Sequence, residues 1–288
     1  MQFACTFGVV SELGVEAGLK RIADAGYDGV ELPGNVFIET ADGEPLKQCR
    51  PLTPQEVDRS LANFADVRGL VDELGLEPIS MAFSYFWVGR FELEAMEDYF
   101  RFAAAANLPA LKVAGVLIGD PYSDYWERLA TAHKQMETVC GLAEKHGVRA
   151  LIELHDGYLH ESASQALRFC EPFDPTWIGV IHDPENMIRS GKEHWPHSFD
   201  ILGDYLAYVH WKNMGFEYNQ EEARWDRFRT PLDKGLVNWQ MIIEALHRHG
   251  FDGFLANENG FLNDPSVIAD DLEYMKGLLE ATKAGASG

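Results

Sequence analysis

Residue types able to hold a divalent ion recur at the ends of short apolar runs in the second half of this 288-residue chain. LIELHD carries Glu153 and His155, IHDPEN carries Asp183, VHWKN carries His210 and Lys212, and ANENG carries Glu258. Glu153, Asp183, His210 and Glu258 together make three carboxylates and one imidazole. That donor set suits an ion of the Mn²⁺, Mg²⁺ or Co²⁺ kind, with Zn²⁺ also compatible. Taken singly, each residue has an ordinary explanation. A glutamate at a strand end is usually solvated, a histidine on an apolar strand is usually a satisfied core residue, and an aspartate before proline usually makes a turn. Four such residues on four consecutive strands point instead to one metal centre.

The elements that must position them alternate without a break. Apolar periodicity and Gly/Pro punctuation predict strands over 3–9, 28–33, 77–83, 110–115, 148–155, 176–183, 206–213 and 252–259. Between and after them the pattern predicts helices over 15–25, 54–74, 92–107, 123–146, 162–170, 197–202, 237–249 and 265–282, with long loops over 34–53 and 214–234. Eight strand–helix units fit an α/β fold of the single (β/α)8 TIM-barrel type, one domain over 1–288 with a frayed tail from about 284. A doubly wound sheet loses support because neither a GxGxxG turn nor a Walker A loop is present.

Strand parity sharpens the metal reading. Side chains alternate faces along a strand. Leu151, Glu153 and His155 therefore share a face, as do Ile181 and Asp183, Tyr208, His210 and Lys212, and Phe254, Ala256 and Glu258. Each candidate ligand continues the inward series of its strand, at the C-terminal end where barrels of this type carry their active sites.

Composition narrows the partners. The formal charge is −22, which disfavours nucleic acid and anionic membranes. No apolar run approaches the roughly 20 residues of a membrane span, and the N-terminus lacks a signal-peptide pattern, so a cytoplasmic location is expected. Cys5, Cys49, Cys140 and Cys170 are widely spaced without a CxxC pair and are expected to be idle thiols.

The segments GYDGVEL (26–32), LIELHD (151–156), VIHDPENM (180–187), VHWKN (209–213) and FDGFLANEN (251–259) resemble, in order, the xylose-isomerase-like TIM-barrel superfamily, in its sugar (phosphate) isomerase/epimerase branch. The resemblance implies one divalent ion, Mn²⁺ above the alternatives, on Glu153, Asp183, His210 and Glu258. It implies a small carbohydrate substrate, and a homo-oligomer is common among such proteins. The implied reaction is proton abstraction beside a carbonyl to a cis-enediolate, with Glu153 and Glu258 as the acid/base pair. His155, Asn186, Lys212, Arg229 and Glu31 are the implied substrate contacts. Phe83, Tyr85, Phe86 and Trp87 could wall the substrate. The alternative reaction is a lyase or hydrolase acting on a keto-sugar or 3-keto-glycoside through the same enolate. The chain departs from the family pattern at Asn186, where a histidine is frequent, and at Asn213, where an aspartate follows the HxK triplet in many members. PLDKG (231–235) keeps only Gly235 of a Pro-Gly-x-Gly turn, and Asn257 precedes Glu258 where isoleucine is frequent. These departures leave the metal ligands intact and the substrate open.

Overall fold

A computed structural model describes residues 1–41, 50–83, 93–113, 115–120, 122–190, 193–260 and 267–285. Eight parallel strands close into a barrel: β1 (Gln2–Thr6), β2 (Gly29–Pro33), β3 (Glu77–Ala82), β4 (Ala110–Lys112), β5 (Arg149–Glu153), β6 (Ile178–His182), β7 (Leu206–Trp211) and β10 (Phe254–Asn257). β10 pairs with both β7 and β1, which completes the ring. The surrounding helices are α1 (Val15–Asp24), α2 (Pro54–Glu73), α3 (Leu93–Ala105), α4 (Tyr125–His146), α5 (Ala163–Cys170), α7 (Trp195–Leu202), α8 (Trp239–His249) and α9 (Val267–Gly285). A short helix, α6 (Pro184–Arg189), follows β6, and a hairpin of β8 (Met214–Asn219) and β9 (Arg224–Arg229) follows β7. No described helix is long and apolar enough to cross a membrane.

Local chemistry sets several helix ends. Thr53 and Glu56 form a capping box at the start of α2, with Pro54 in its first turn. Ser162 and Gln165 do the same for α5. Gly147 and Gly250 close α4 and α8 in the left-handed region. The main core lies between barrel and helices and includes Phe64 stacked on Phe102 at 5.1 Å. A second, smaller cluster fills the barrel itself: Ala4, Ile79, Ala110, Leu151, Ile181, Tyr208 and Ala256.

That inner cluster ends abruptly. Two residues beyond Ala4, Ala110, Leu151, Ile181, Tyr208 and Ala256 stand Thr6, Lys112, Glu153, Asp183, His210 and Glu258. One side-chain step, about 6.6 Å along a strand, thus takes the barrel from apolar packing to an ionic layer. The parity read from sequence places the inner series as observed.

Some extents differ from the sequence expectation. The first strand stops at Thr6, and Phe7–Leu13 winds as a 3-10 helix that buries Phe7 and Val10, three residues apart. Residues 214–229 are not loop but the β8–β9 hairpin. β8 carries an apolar alternation at Met214, Phe216 and Tyr218, but both strands are largely exposed, β9 lacks the pattern and no glycine marks the turn between them. The turn's left-handed residue is Ala223, φ 49°, in place of the usual glycine, and Asn219 Oδ1 accepts from the Glu221 and Glu222 amides. The loop after β6 holds α6, and the final helix runs on through Gly285. Cys5, Cys140 and Cys170 are free thiols. Burial pushes all three up in pKa. Cys49, Tyr85, Phe86, Trp87 and residues 286–288 of the predicted tail lie outside the described residues.

Candidate metal centre

Glu153 ends β5, Asp183 follows β6, His210 lies in β7 and Glu258 follows β10. One donor atom from each falls within 4.8 Å of the others. Donors about 2.1 Å from a shared ion stand at most about 4.2 Å apart, so the group is within a few tenths of an ångström of enclosing one. His210 Nδ1 is the convergent nitrogen: it lies 3.0 Å from Glu153 Oε1, 3.4 Å from Glu258 Oε2 and 3.8 Å from Asp183 Oδ2.

Asp183 performs two tasks at once. Its Oδ1 caps α6 by accepting from the Asn186 amide at 2.9 Å, with Pro184 in the first turn. Turn chemistry and ligation are therefore compatible. Oδ2 faces the quartet, is fully buried and takes no well-aligned hydrogen bond, although Lys212 Nζ lies 2.7 Å away. A buried carboxylate oxygen lacking an aligned donor, beside three further donors, fits a divalent cation.

Charges in this layer compensate one another. Lys112 Nζ is 2.7 Å from Glu153 Oε2, and Lys212 Nζ is 2.5 Å from Glu258 Oε2. Burial opposes ionisation of Glu153, but Lys112 and His210 outweigh it and hold the carboxyl well below its usual range. Glu258 behaves likewise through Lys212 and His210. For Asp183 burial wins over Lys212, and the carboxyl is pushed up. Burial would lower His210, yet Glu258, Glu31 and Glu153 lift it to about 10. The ring nitrogens thus face carboxylates on both sides, with Nε2 donating to Glu31 Oε2 at 3.2 Å. Tyr208 donates to the same oxygen, so the 2.9 Å contact of Ser80 with Tyr208 runs from the serine hydroxyl to the tyrosine oxygen.

A family model described as xylose isomerase-like TIM barrel matches residues 19–278. The chain belongs to this family. An inosose dehydratase of Geobacillus thermodenitrificans (strain NG80-2) is 24% identical over 143 residues, 46% of each chain, so the match spans less than half of that relative's length. Among solved structures, a D-tagatose 3-epimerase-like protein superimposes with a TM-score of 0.73 at 19% identity, over 99% of this chain and 100% of that one. The 3-keto-D-glucoside 4-epimerase YcjR of E. coli gives 0.72 at 15% identity, over 96% and 99%. Likenesses at this identity establish the shared barrel.

Within this family member, Glu153 and Glu258 of the quartet line a cavity of about 400 Å³ at the C-terminal mouth. His155, Asn186, Lys212 and Arg229 line it beside Glu153 and Glu258. Asn186 donates from Nδ2 to Glu153 Oε1 at 3.3 Å and to the Leu154 carbonyl at 3.1 Å. His155 stands edge-on to Tyr158, its Nδ1 2.8 Å from the Asp156 carbonyl. Glu31 is buried and borders an adjoining cavity of about 620 Å³ that shares Phe83, Lys112, Arg229 and Glu258. Phe83 packs edge-on to Tyr99 at 4.9 Å while facing both cavities.

Several site residues escaped the sequence reading, among them Lys112, Glu185, Arg189 and Arg227. Lys112 was open to the parity argument, as Ala110-Leu111-Lys112 repeats the inward step seen on β5. Glu185, fully buried in α6, gave no such signal. Its partners, Arg229 Nη1 at 3.0 Å and Lys212 Nζ at 3.5 Å, come from distant segments.

Proposed function

We propose that this barrel is a divalent-metal-dependent sugar or keto-sugar isomerase/epimerase working by proton transfer at the carbon beside a carbonyl. The observation that carries the reading is the pairing of Glu153 with Lys112 and of Glu258 with Lys212, all four side chains lining one cavity. Glu153, Asp183, His210 and Glu258 would hold the ion, with Mn²⁺ the expected one. Bound there, it supplies Lewis-acid polarisation of the substrate carbonyl.

The protein's own residues perform the proton transfer. Glu153 and Glu258, both held ionised, are bases at neutral pH. One carboxylate takes the proton from carbon and leaves an enediolate. In isomerisation the same carboxylate passes that proton on to the neighbouring carbon; in epimerisation the other carboxylate, after taking up a proton from water, delivers it to the opposite face, and the first loses its proton to water. The lysines, both held cationic by these carboxylates, present ammonium donors to the developing oxyanion. His155, Asn186 and Arg229 orient the hydroxyls of a small carbohydrate. A second reading, loss of water or aglycone from the same enediolate, draws support from the inosose dehydratase relative.

Metal analysis and isotope exchange test the proposal together. About one divalent ion per chain is expected. Ketohexoses, keto-sugar phosphates and 3-keto-glycosides are incubated in D₂O with protein reloaded with Mn²⁺, Mg²⁺, Co²⁺ or Zn²⁺. Deuterium beside the carbonyl with an inverted or migrated centre supports the isomerase/epimerase reading, and loss of water or aglycone supports elimination. Absence of bound metal and of exchange, with Glu258→Gln indistinguishable from the parent, overturns both.

A further inference from the structure

The lining of the cavity beside the quartet is richer in cations than the chain as a whole. Overall there are 24 lysines and arginines against 46 acidic residues. The cavity wall carries Lys112, Arg189, Lys212, Arg227 and Arg229 against Glu153 and Glu258. Three of these cations have a carboxylate partner close by. Lys112 pairs with Glu153, Lys212 with Asp183 and Glu258, and Arg189 with Asp156.

The remaining two share one acid. Arg227 and Arg229 are two residues apart on β9 and so lie on one face of the hairpin. Both turn to Glu185. Arg229 Nη1 donates to Glu185 Oε2 at 3.0 Å, while Arg227 Nη1 stops 3.7 Å from Oε1, beyond hydrogen-bond reach. Glu185 Oε1 is buried and takes no hydrogen bond among the described residues. Its other oxygen is also 3.5 Å from Lys212. One fully buried carboxylate thus faces two guanidiniums and an ammonium. The Arg227 side chain is 41% exposed, lines the cavity and makes no hydrogen bond to Glu185.

We propose that the substrate carries an anionic group, a phosphate or a carboxylate, which Arg227 holds at the cavity mouth beside Arg229. The inference rests on the sugar proton-transfer reading and adds the charge class of its substrate. A neutral sugar needs no second guanidinium shared on one carboxylate at the cavity wall. An anion approaching a chain of charge −22 needs a local positive potential to enter. The guanidinium fork matches the paired oxygens of either group.

Equilibrium titration of metal-loaded protein tests this without turnover, using D-fructose, D-fructose 6-phosphate and D-gluconate as probes. At least one anion is expected to bind about ten-fold or more tightly than fructose, with an affinity that falls as salt rises. The tighter of the two identifies phosphate or carboxylate as the group. Arg227→Gln should weaken the preferred anion about 10- to 100-fold and leave fructose unchanged, and Arg227→Lys should recover part of the loss. The proposal is overturned if neither anion binds more tightly than fructose, or if Arg227→Gln weakens neutral and anionic probes by the same factor. Bound metal and deuterium exchange are measured separately, so a failed reaction and a failed anion site are told apart.

Discussion

Glu31 Oε2 stands 3.2 Å from His210 Nε2, on the opposite side of the imidazole from the three carboxylates gathered at Nδ1. A carboxylate behind a ligating histidine selects the tautomer and aims the ring. Tyr208 and Ser80 hold Glu31 in turn, so the arrangement is anchored in the barrel interior. Glu31→Gln keeps the shape and removes the charge. It is expected to weaken divalent-metal binding about 10- to 100-fold, as read by competition with a fluorescent chelator. Unchanged affinity would show that Glu31 has no part in orienting His210.

Asn213 explains a departure from the family pattern. Its Nδ2 donates to the carbonyls of Leu232 and Val237 at 2.7 and 3.1 Å, and its Oδ1 accepts from the amides of Met214 and Val237 at 3.0 and 2.9 Å. An aspartate would set a carboxylate oxygen against two carbonyls. Asn213→Asp should therefore cost about 2–4 kcal/mol in urea unfolding at neutral pH. Gly235→Ala acts on the same knot, because a Cβ there would fall 1.9 Å from Asn213 Oδ1. Wild-type stability in both variants would refute this account.

Lys112 supplies a third test. Lys112→Met removes the cation 2.7 Å from Glu153 while preserving much of the apolar stem. Glu153 should then ionise at higher pH. The acid limb of the deuterium-exchange rate should move upward, with the neutral-pH rate down about 10- to 100-fold. An unshifted limb would separate Lys112 from the chemistry.

Two buried histidines make the fold sensitive to mild acid. Burial, the largest influence on each, pushes His160 down to about 4 and His182 down to about 3. Unfolded histidine titrates near 6.5. Between these values the unfolded chain binds protons that the native state refuses, so stability is complete above about pH 6.5 and falls as pH drops. Each histidine contributes a slope of about 1.4 kcal/mol per pH unit within its window. Asp271 and Asp183, each raised by burial to about 6, work in the opposite direction and offset much of the loss. His182→Gln, though less stable at pH 7, should lose less melting temperature than the parent, or gain more, between pH 7 and 5. A parallel course would exclude His182 as a source.

The sequence by itself determined the barrel and its metal-competent ring. Strand parity is a local property with a period of two residues, so Leu151 facing inward sends Glu153 inward as well, and Tyr208 does the same for His210. Alternation of strand and helix leaves little topological freedom for the closed sheet. Tertiary structure decided everything that depends on distance between segments. Glu31 is separated from His210 by 179 residues, and Arg229 from Glu185 by 44. No periodicity records such pairings. The β8–β9 hairpin stayed hidden for a related reason: it lies mostly in solvent, β9 lacks an apolar alternation, and its turn uses Ala223 in the left-handed region where a glycine would have signalled it. Burial and charge neighbours then set what each ionic group can do. The same side-chain type is held ionised at Glu258 beside Lys212 and serves at Glu31 to fix a histidine.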